Sequence, residues 1–174
     1  ELDNTDGTIN ARSASGAGLR LNVSGLLNNT RGNLIGNGTG FIINANHLLN
    51  NNGSIEHYGS GWSMLNAARL DNSKGNIYSS SNLNIKTDKL INIDGAAIAQ
   101  HDVEISSTTL LDNTNGQLMA GANQTISTKQ LLNKDGVVNA DNLVIDSVTI
   151  DNLSAGVIEA NGLTLKADTL NNEG

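Results

Sequence analysis

Seventeen Asp and Glu side chains and three histidines are the groups in this 174-residue chain that could act as acids, bases or metal ligands. Glycoside hydrolysis and related polysaccharide cleavage need two carboxylates converging within one site, one to donate a proton and one to act as base or nucleophile. Here the acids are dispersed. Asp3, Asp71, Asp112 and Asp151 share one phase of a repeating pattern, but Asn28, Asn50, Ile91 and Leu132 interrupt that phase, so acid seldom neighbours acid. Asp102 and Glu104 flank Val103 on one strand and point outward, with no counterpart one repeat away. His47, His57 and His101 fall at three different phases, an arrangement that does not bring them into one metal site. No calcium-loop pattern occurs, and the chain is read as non-catalytic, without metal or cofactor. The six Asn-x-Ser/Thr sequences, at Asn22, Asn28, Asn37, Asn52, Asn123 and Asn152, follow from the abundance of those residues.

The elements that would hold these groups emerge from the composition. There is no Pro and no Cys, 19 residues are Gly, and Phe41, Tyr58, Trp62 and Tyr78 are the only aromatics. A core must therefore be assembled from many medium-sized aliphatic side chains, which stacked repeats do because each unit covers the apolar face of the next. A formal net charge of −7 argues against nucleic acid as a partner. No apolar run reaches the roughly 20 residues of a membrane-spanning helix.

The repeat is an aliphatic residue, Asn two positions later, then Gly, then an aliphatic two positions beyond it. The Asn column reads Asn4, Asn29, Asn51, Asn72, Asn92, Asn113, Asn133, Asn152 and Asn172, and the Gly column Gly7, Gly32, Gly53, Gly75, Gly95, Gly116, Gly136 and Gly156, continuing to Gly174. Leu2, Leu27, Leu49, Leu70, Leu90, Leu111, Leu131, Ile150 and Leu170 precede the Asn column. Between one Gly and the next Leu lie two short alternating stretches, such as Ile77-x-Ser79 followed by Leu83-x-Ile85. Alternation with period two means strand, and units of about 20 residues leave no room for helices. Strands this short must pair with their equivalents in adjacent units, in parallel and in register. The expected fold is an all-β parallel β-helix of about eight coils, some 38 Å long at about 4.8 Å per coil. The Asn column should form a ladder of stacked carboxamides, and each turn Gly is expected to take a left-handed backbone conformation.

Units such as Leu70-Asp71-Asn72-Ser73-Lys74-Gly75-Asn76-Ile77-Tyr78-Ser79 and Leu111-Asp112-Asn113-Thr114-Asn115-Gly116-Gln117-Leu118-Met119-Ala120 closely resemble the filamentous haemagglutinin repeat. That resemblance extends along the whole chain. It implies a right-handed parallel β-helix cut from a very large bacterial exoprotein, exported through an outer-membrane two-partner-secretion transporter to the cell surface or the medium. Relatives of this kind include virulence-associated adhesins and contact-dependent growth inhibition effectors, whose partners would be a receptor or glycan on a host cell or target bacterium. A rigid stalk displaying a distal adhesive or toxin module is the first expectation, a directly adhesive segment the second, and a polysaccharide-degrading β-helix enzyme a remote third.

Departures from the repeat divide residues 1–174 into 1–69 and 70–174. The first part contains extra Ser-, Gly- and Asn-rich stretches at Ser13 to Gly18, Asn37 to Gly40 and Tyr58 to Gly61, expected as loops along one edge; the second is regular. Phe41, Tyr58 and Trp62 lie in or beside these loops. Phe41 and Trp62 fall at the first position of an interior triplet and would fill wider coils; alternatively the three rings form a partner-binding patch.

Overall fold

The computed structural model describes residues 1–12, 16 and 18–173. Every strand pairing is parallel, no helix occurs among the described residues, and the chain winds through eight stacked coils.

Each coil has three strand faces. The first carries the short strands β2 (Thr8–Ala11), β4 (Asn33–Gly36), β6 (Ser54–His57), β8 (Asn76–Ser79), β10 (Ala96–Ala99) and β12 (Gln117–Ala120), and then the opening residues of β14 (Val137–Asn152) and β15 (Val157–Lys166). The second and third faces are the two halves of the long strands β3 (Leu19–Asn28), β5 (Phe41–Leu49), β7 (Trp62–Asp71), β9 (Asn82–Ile91), β11 (Val103–Asp112) and β13 (Asn123–Leu132). They continue in β14 and β15, with β1 (Leu2–Asp3) and β16 (Thr169–Asn172) on the third face. A register shift divides the long strands, between Val23 and Leu26 in β3 and between Ser107 and Leu110 in β11. It lets one strand turn a corner without a separate loop.

Repetition of the same side chain at one phase produces the core. Leu27, Leu48, Leu70, Leu90, Leu111, Leu131 and Ile150 form one fully buried column, and Leu34, Ile55, Ile77, Leu118 and Val138 another. A third runs Leu21, Ile43, Leu65, Ile85, Ile105, Ile126, Ile145, Leu165. Small side chains at the fourth position after the turn Gly (Ala99, Ala120, Ala140) admit the close approach of the first two faces.

The third coil departs twice from the sequence reading, by one residue each time. Leu48, not Leu49, enters the leucine column: Leu48 pairs with Leu27 and Leu70, whereas Leu49 pairs with Asn28 and Asp71 on the outside. Ser63, not Trp62, occupies the triplet position opposite Phe41 and Leu83, and Trp62 stands half-buried on the outer surface beside Asn82. A shift of one residue exchanges the inner and outer sets of a strand, so register determines which ring is interior. Phe41 is wholly buried, as its triplet position implied.

The turn glycines also depart from expectation. The left-handed residue is the one before the glycine, namely Asp6, Arg31, Asn52, Lys74, Asp94, Asn115 and Asp135, with φ between 52° and 57°. Among the described residues none of the turn glycines has positive φ, and the positive-φ glycines are Gly16 and Gly61. Glycine is required because of proximity between coils. A Cβ on Gly32 would overlap the backbone carbonyl of Asn4 in the preceding coil and sit 2.7 Å from Asn29 Oδ1, and the same clash recurs from Gly53 to Gly156.

Gln124 interrupts the interior. It lies in the column between Val103 and Leu143, is 1 % exposed, and neither its Oε1 nor its Nε2 has a partner. Each buried unpaired polar group costs about 1–3 kcal/mol. Gln124→Leu should therefore stabilise the coil stack by about 3 kcal/mol. Denaturant unfolding of the two proteins tests this, and a midpoint unchanged or lowered would show that the amide has a role in the core.

Candidate functional site

The side chains that repeat most strictly are the carboxamides at the corner between the third and first faces. Asn4, Asn29, Asn50, Asn72, Asn92, Asn113, Asn133, Asn152 and Asn172 stack in one column, each Nδ2 donating to the Oδ1 of the next at 2.7–2.8 Å. The same Nδ2 lies near the carbonyl of its own turn Gly and a carbonyl of the following coil, as Asn72 does with Gly75 at 3.2 Å and Ala96 at 3.0 Å. The ladder is almost entirely buried up to Asn152. Its third-coil member is Asn50 and not Asn51, which corrects the column drawn from the sequence. Asn50, like Asn29 before Gly32, stands three positions before its turn Gly, and the turn agrees: Gly53 N–H donates to the Asn50 carbonyl, as Gly32 does to Asn29. Asn51 is on the outer surface, where its amide, oriented to satisfy both ends, donates to Asp71 Oδ1 at 3.0 Å.

Beside the ladder, the outward residue one position earlier closes the turn. Asp3 Oδ1 accepts from both N–H and Oγ1–H of Thr5, and Asp71 with Ser73 and Asp112 with Thr114 repeat the motif. The Thr5 hydroxyl and amide hold the Asp3 carboxyl below its ordinary value. Asp6 is likewise lowered, chiefly by the hydrogen bond from Arg31, with which it forms an exposed pair at 2.7 Å. The remaining candidate acids are similarly engaged. Asp102 Oδ1 accepts from the backbone and side chain of Asn123, Glu104 from Asn84, and Asp151 from Gln130 and Asn171. These carboxylates act as caps and coil-to-coil links. Among the described residues no three His, Cys, Asp or Glu side chains gather around a possible metal position.

The histidines separate as their phases require. His47 and His101 are exposed, while His57 is fully buried at a position that holds Gly36 and Ser79 in the adjacent coils. Its Nε2 is 2.8 Å from the Gly38 carbonyl, so this nitrogen donates, and its Nδ1 is 2.8 Å from Ser63 Oγ. Ser63 Oγ in turn lies 2.9 Å from Ser79 Oγ. The ring packs 5.4 Å from Phe41. This chain ties the 37–40 loop to the interior of the next two coils, and it explains why a coil can enclose a polar ring without leaving it unpaired.

A second polar column escaped the sequence reading. At the bulged corner Thr87, Ser107, Thr128 and Ser147 turn hydroxyls inward onto backbone carbonyls; Ser107, for example, donates to the Leu110 carbonyl at 2.7 Å, with the Asp88 carbonyl of the preceding coil at 3.1 Å. In the first three coils the same position is Val23, Ala45 and Ala67. The signal was a Ser or Thr five residues after Asn82, four after Val103, Gln124 and Leu143, which reads as solvent-facing until the bulge is known.

Of the three rings considered as a patch, the structure keeps Tyr58 outside, Trp62 half-buried and Phe41 inside. Tyr58 is 55 % exposed, lies with its ring centroid 5.6 Å from that of Tyr78 and tilted by 46° to it, and donates its hydroxyl to Glu56 Oε2 at 2.7 Å. That hydrogen bond to a carboxylate raises the phenol's pKa. The exposed aromatic feature is thus Tyr58, between the first and second faces, packed against the half-buried Tyr78 of β8. The extra residues 13–15 and 17 lie outside the described residues.

No family model matches the chain, and searches of curated proteins and of solved structures return no similar protein.

Proposed function

We propose that this segment is a non-catalytic, rigid stalk within a secreted bacterial surface exoprotein of the filamentous haemagglutinin type, holding a distal adhesive or toxin module away from the cell. The observation supporting this is the unbroken ladder of nine carboxamides, buried from Asn4 to Asn152, which fixes every coil to the next at one spacing and so makes length proportional to repeat number. Among the described residues no three acidic or histidine side chains gather at one position, and the carboxylates at the corners are engaged in turns and coil-to-coil hydrogen bonds. An outer-membrane transporter of the two-partner type is the proposed export partner, and a receptor or glycan on a host cell or another bacterium the proposed target.

Antibody labelling of intact cells carrying the full-length parent provides the test. We expect labelling of this segment on wild-type cells and its loss when the partner transporter gene is deleted. Unlabelled wild-type cells, or labelling that persists without the transporter, would refute the assignment. Removing residues 93–133, two whole repeats, should shorten the segment by about 10 Å in solution scattering without loss of β structure.

A second reading, that the segment itself adheres, is favoured by the exposed Tyr58 next to Tyr78. Such rings suit the centre of an interface.

A further inference from the structure

A furrow follows the bulged corner, on the edge away from Tyr58. Two contiguous, shallow and open depressions share Asn44 and Ala45 and together extend over five coils. One wall is the outward row Asn22, Asn44, Asn66, Lys86, Ser106, and small side chains, Ala45, Ala67 and Ala68, form the floor.

The wall is an outer carboxamide ladder. Asn44 Nδ2 donates to Asn22 Oδ1 at 2.7 Å and Asn66 Nδ2 to Asn44 Oδ1 at 2.8 Å. Each of these bonds uses one N–H of the carboxamide and leaves the second directed away from the ladder. Unlike the inner ladder, this one is not needed to fill a buried corner: its equivalents in later coils are Lys86, Ser106, Ser127 and Asp146, and those coils keep the same register.

We infer that this furrow binds an extended polypeptide segment through its main chain. A carboxamide is the chemical complement of a peptide group, able to donate to its C=O and accept from its N–H at once. The spacing also agrees. Two coils rise about 9.6 Å, and one turn of an extended chain in the polyproline-II conformation, three residues at about 3.1 Å each, spans about 9.3 Å, so every third peptide group of such a chain lying along the axis faces a wall residue on every second coil. Asn22 and Asn66 are two coils apart, and Asn44 lies between them. The alanine floor admits a backbone with small side chains. Charge does not select the occupant, because the charged side chains lining the furrow are one Lys and one Asp, Lys86 and Asp88. No aromatic ring lines either cleft, which disfavours a sugar polymer. This inference is independent of the export route, since surface labelling reports on location and peptide binding on the furrow.

A phage-displayed library of random 12-residue peptides, selected on the intact 174-residue chain, tests it. Enriched peptides should lose at least tenfold in affinity for Asn44→Leu/Asn66→Leu and severalfold for Asn66→Ala, a change at the ladder's end that leaves the inner columns intact. Tyr58→Ala should bind them normally. Main-chain recognition further requires that N-methylation at every third residue of a selected peptide weakens binding more than alanine replacement of its side chains. Failure to enrich any peptide overturns the proposal. So does binding unaffected by both Asn variants while their circular dichroism matches wild type, or displacement of the peptides by xylohexaose or mannohexaose.

Discussion

Gly116→Ala should destabilise the rod by on the order of 4 kcal/mol, among the largest effects a single methyl group can have. Its Cβ would overlap the backbone carbonyl of Asn92 and lie 2.5 Å from Asn113 Oδ1, so the two coils must separate and weaken the ladder at that level. Relaxation is restricted because parallel pairing on all three faces fixes the spacing. Two substitutions provide the controls. Gly25→Ala introduces a Cβ with nothing within 4 Å and no positive φ, and should be neutral or stabilising by up to about 1 kcal/mol. Asn115→Gly, which relieves the left-handed residue at φ 52°, should also not destabilise. Thermal unfolding of the three variants separates close approach from backbone conformation as the reason for glycine; a loss in Asn115→Gly comparable to that in Gly116→Ala would reject the former.

Asn92→Asp is expected to cost about 5 kcal/mol at neutral pH, although it changes hardly any volume. Asn92 Nδ2 donates toward Asn113 Oδ1 at 2.8 Å and toward the Gly95 and Gln117 carbonyls at 3.2 Å. An aspartate oxygen there confronts three acceptors with a buried negative charge, and a midpoint lower by about 10–20 °C should follow for a chain of this size. The pH dependence has a definite sign. Burial among acceptors raises the folded-state pKa of the introduced carboxyl, so the penalty is full above that value and diminishes as acidification supplies a proton that can donate to one of the three oxygens. Calorimetry between pH 7 and pH 4, with wild type as reference, should show the gap narrowing. A gap that is constant or widens would mean the carboxylate had escaped to solvent.

These two substitutions act on the features most legible in the sequence. The coil count, the strand class and the identity of the ladder all follow from nine Asn and nine Gly at a common phase, because in a stacked fold one coil's environment is every coil's environment. Where the repeat is degenerate the aliphatic pattern alone does not resolve register. Asn50 and Asn51 each follow a leucine by two positions, and the three-residue step to Gly53, matching that from Asn29 to Gly32, together with the hydrogen bond from Gly53 selects the first. Trp62 and Ser63 likewise compete for one inward position, and hydrophobicity favours the wrong one; the buried His57 supplies a polar partner that makes serine the fitting interior residue. The same limit hid the hydroxyl column at Thr87, Ser107, Thr128 and Ser147 and the furrow beside it, since both depend on a bulge that alters the alternation of inner and outer residues halfway along each long strand. The conformational role of the turn Gly was misjudged for another reason. The Asn-x-x-Gly pattern contains two residues with turn character; the one before the Gly takes positive φ, while the Gly itself is demanded by the neighbouring coil's carbonyl, an atom some 20 positions away in the chain.

All eight carboxamide bonds of the inner ladder point the same way, from each coil's Nδ2 to the Oδ1 of the coil that follows it in sequence. Aligned dipoles add along the axis as they do in an α-helix, and successive bonds polarise one another. The rod is therefore electrically directional as well as geometrically periodic: at any level, the side toward later coils presents N–H groups and the side toward earlier coils presents carbonyl oxygens, so two such stacks placed head to head would set like poles against each other at this corner.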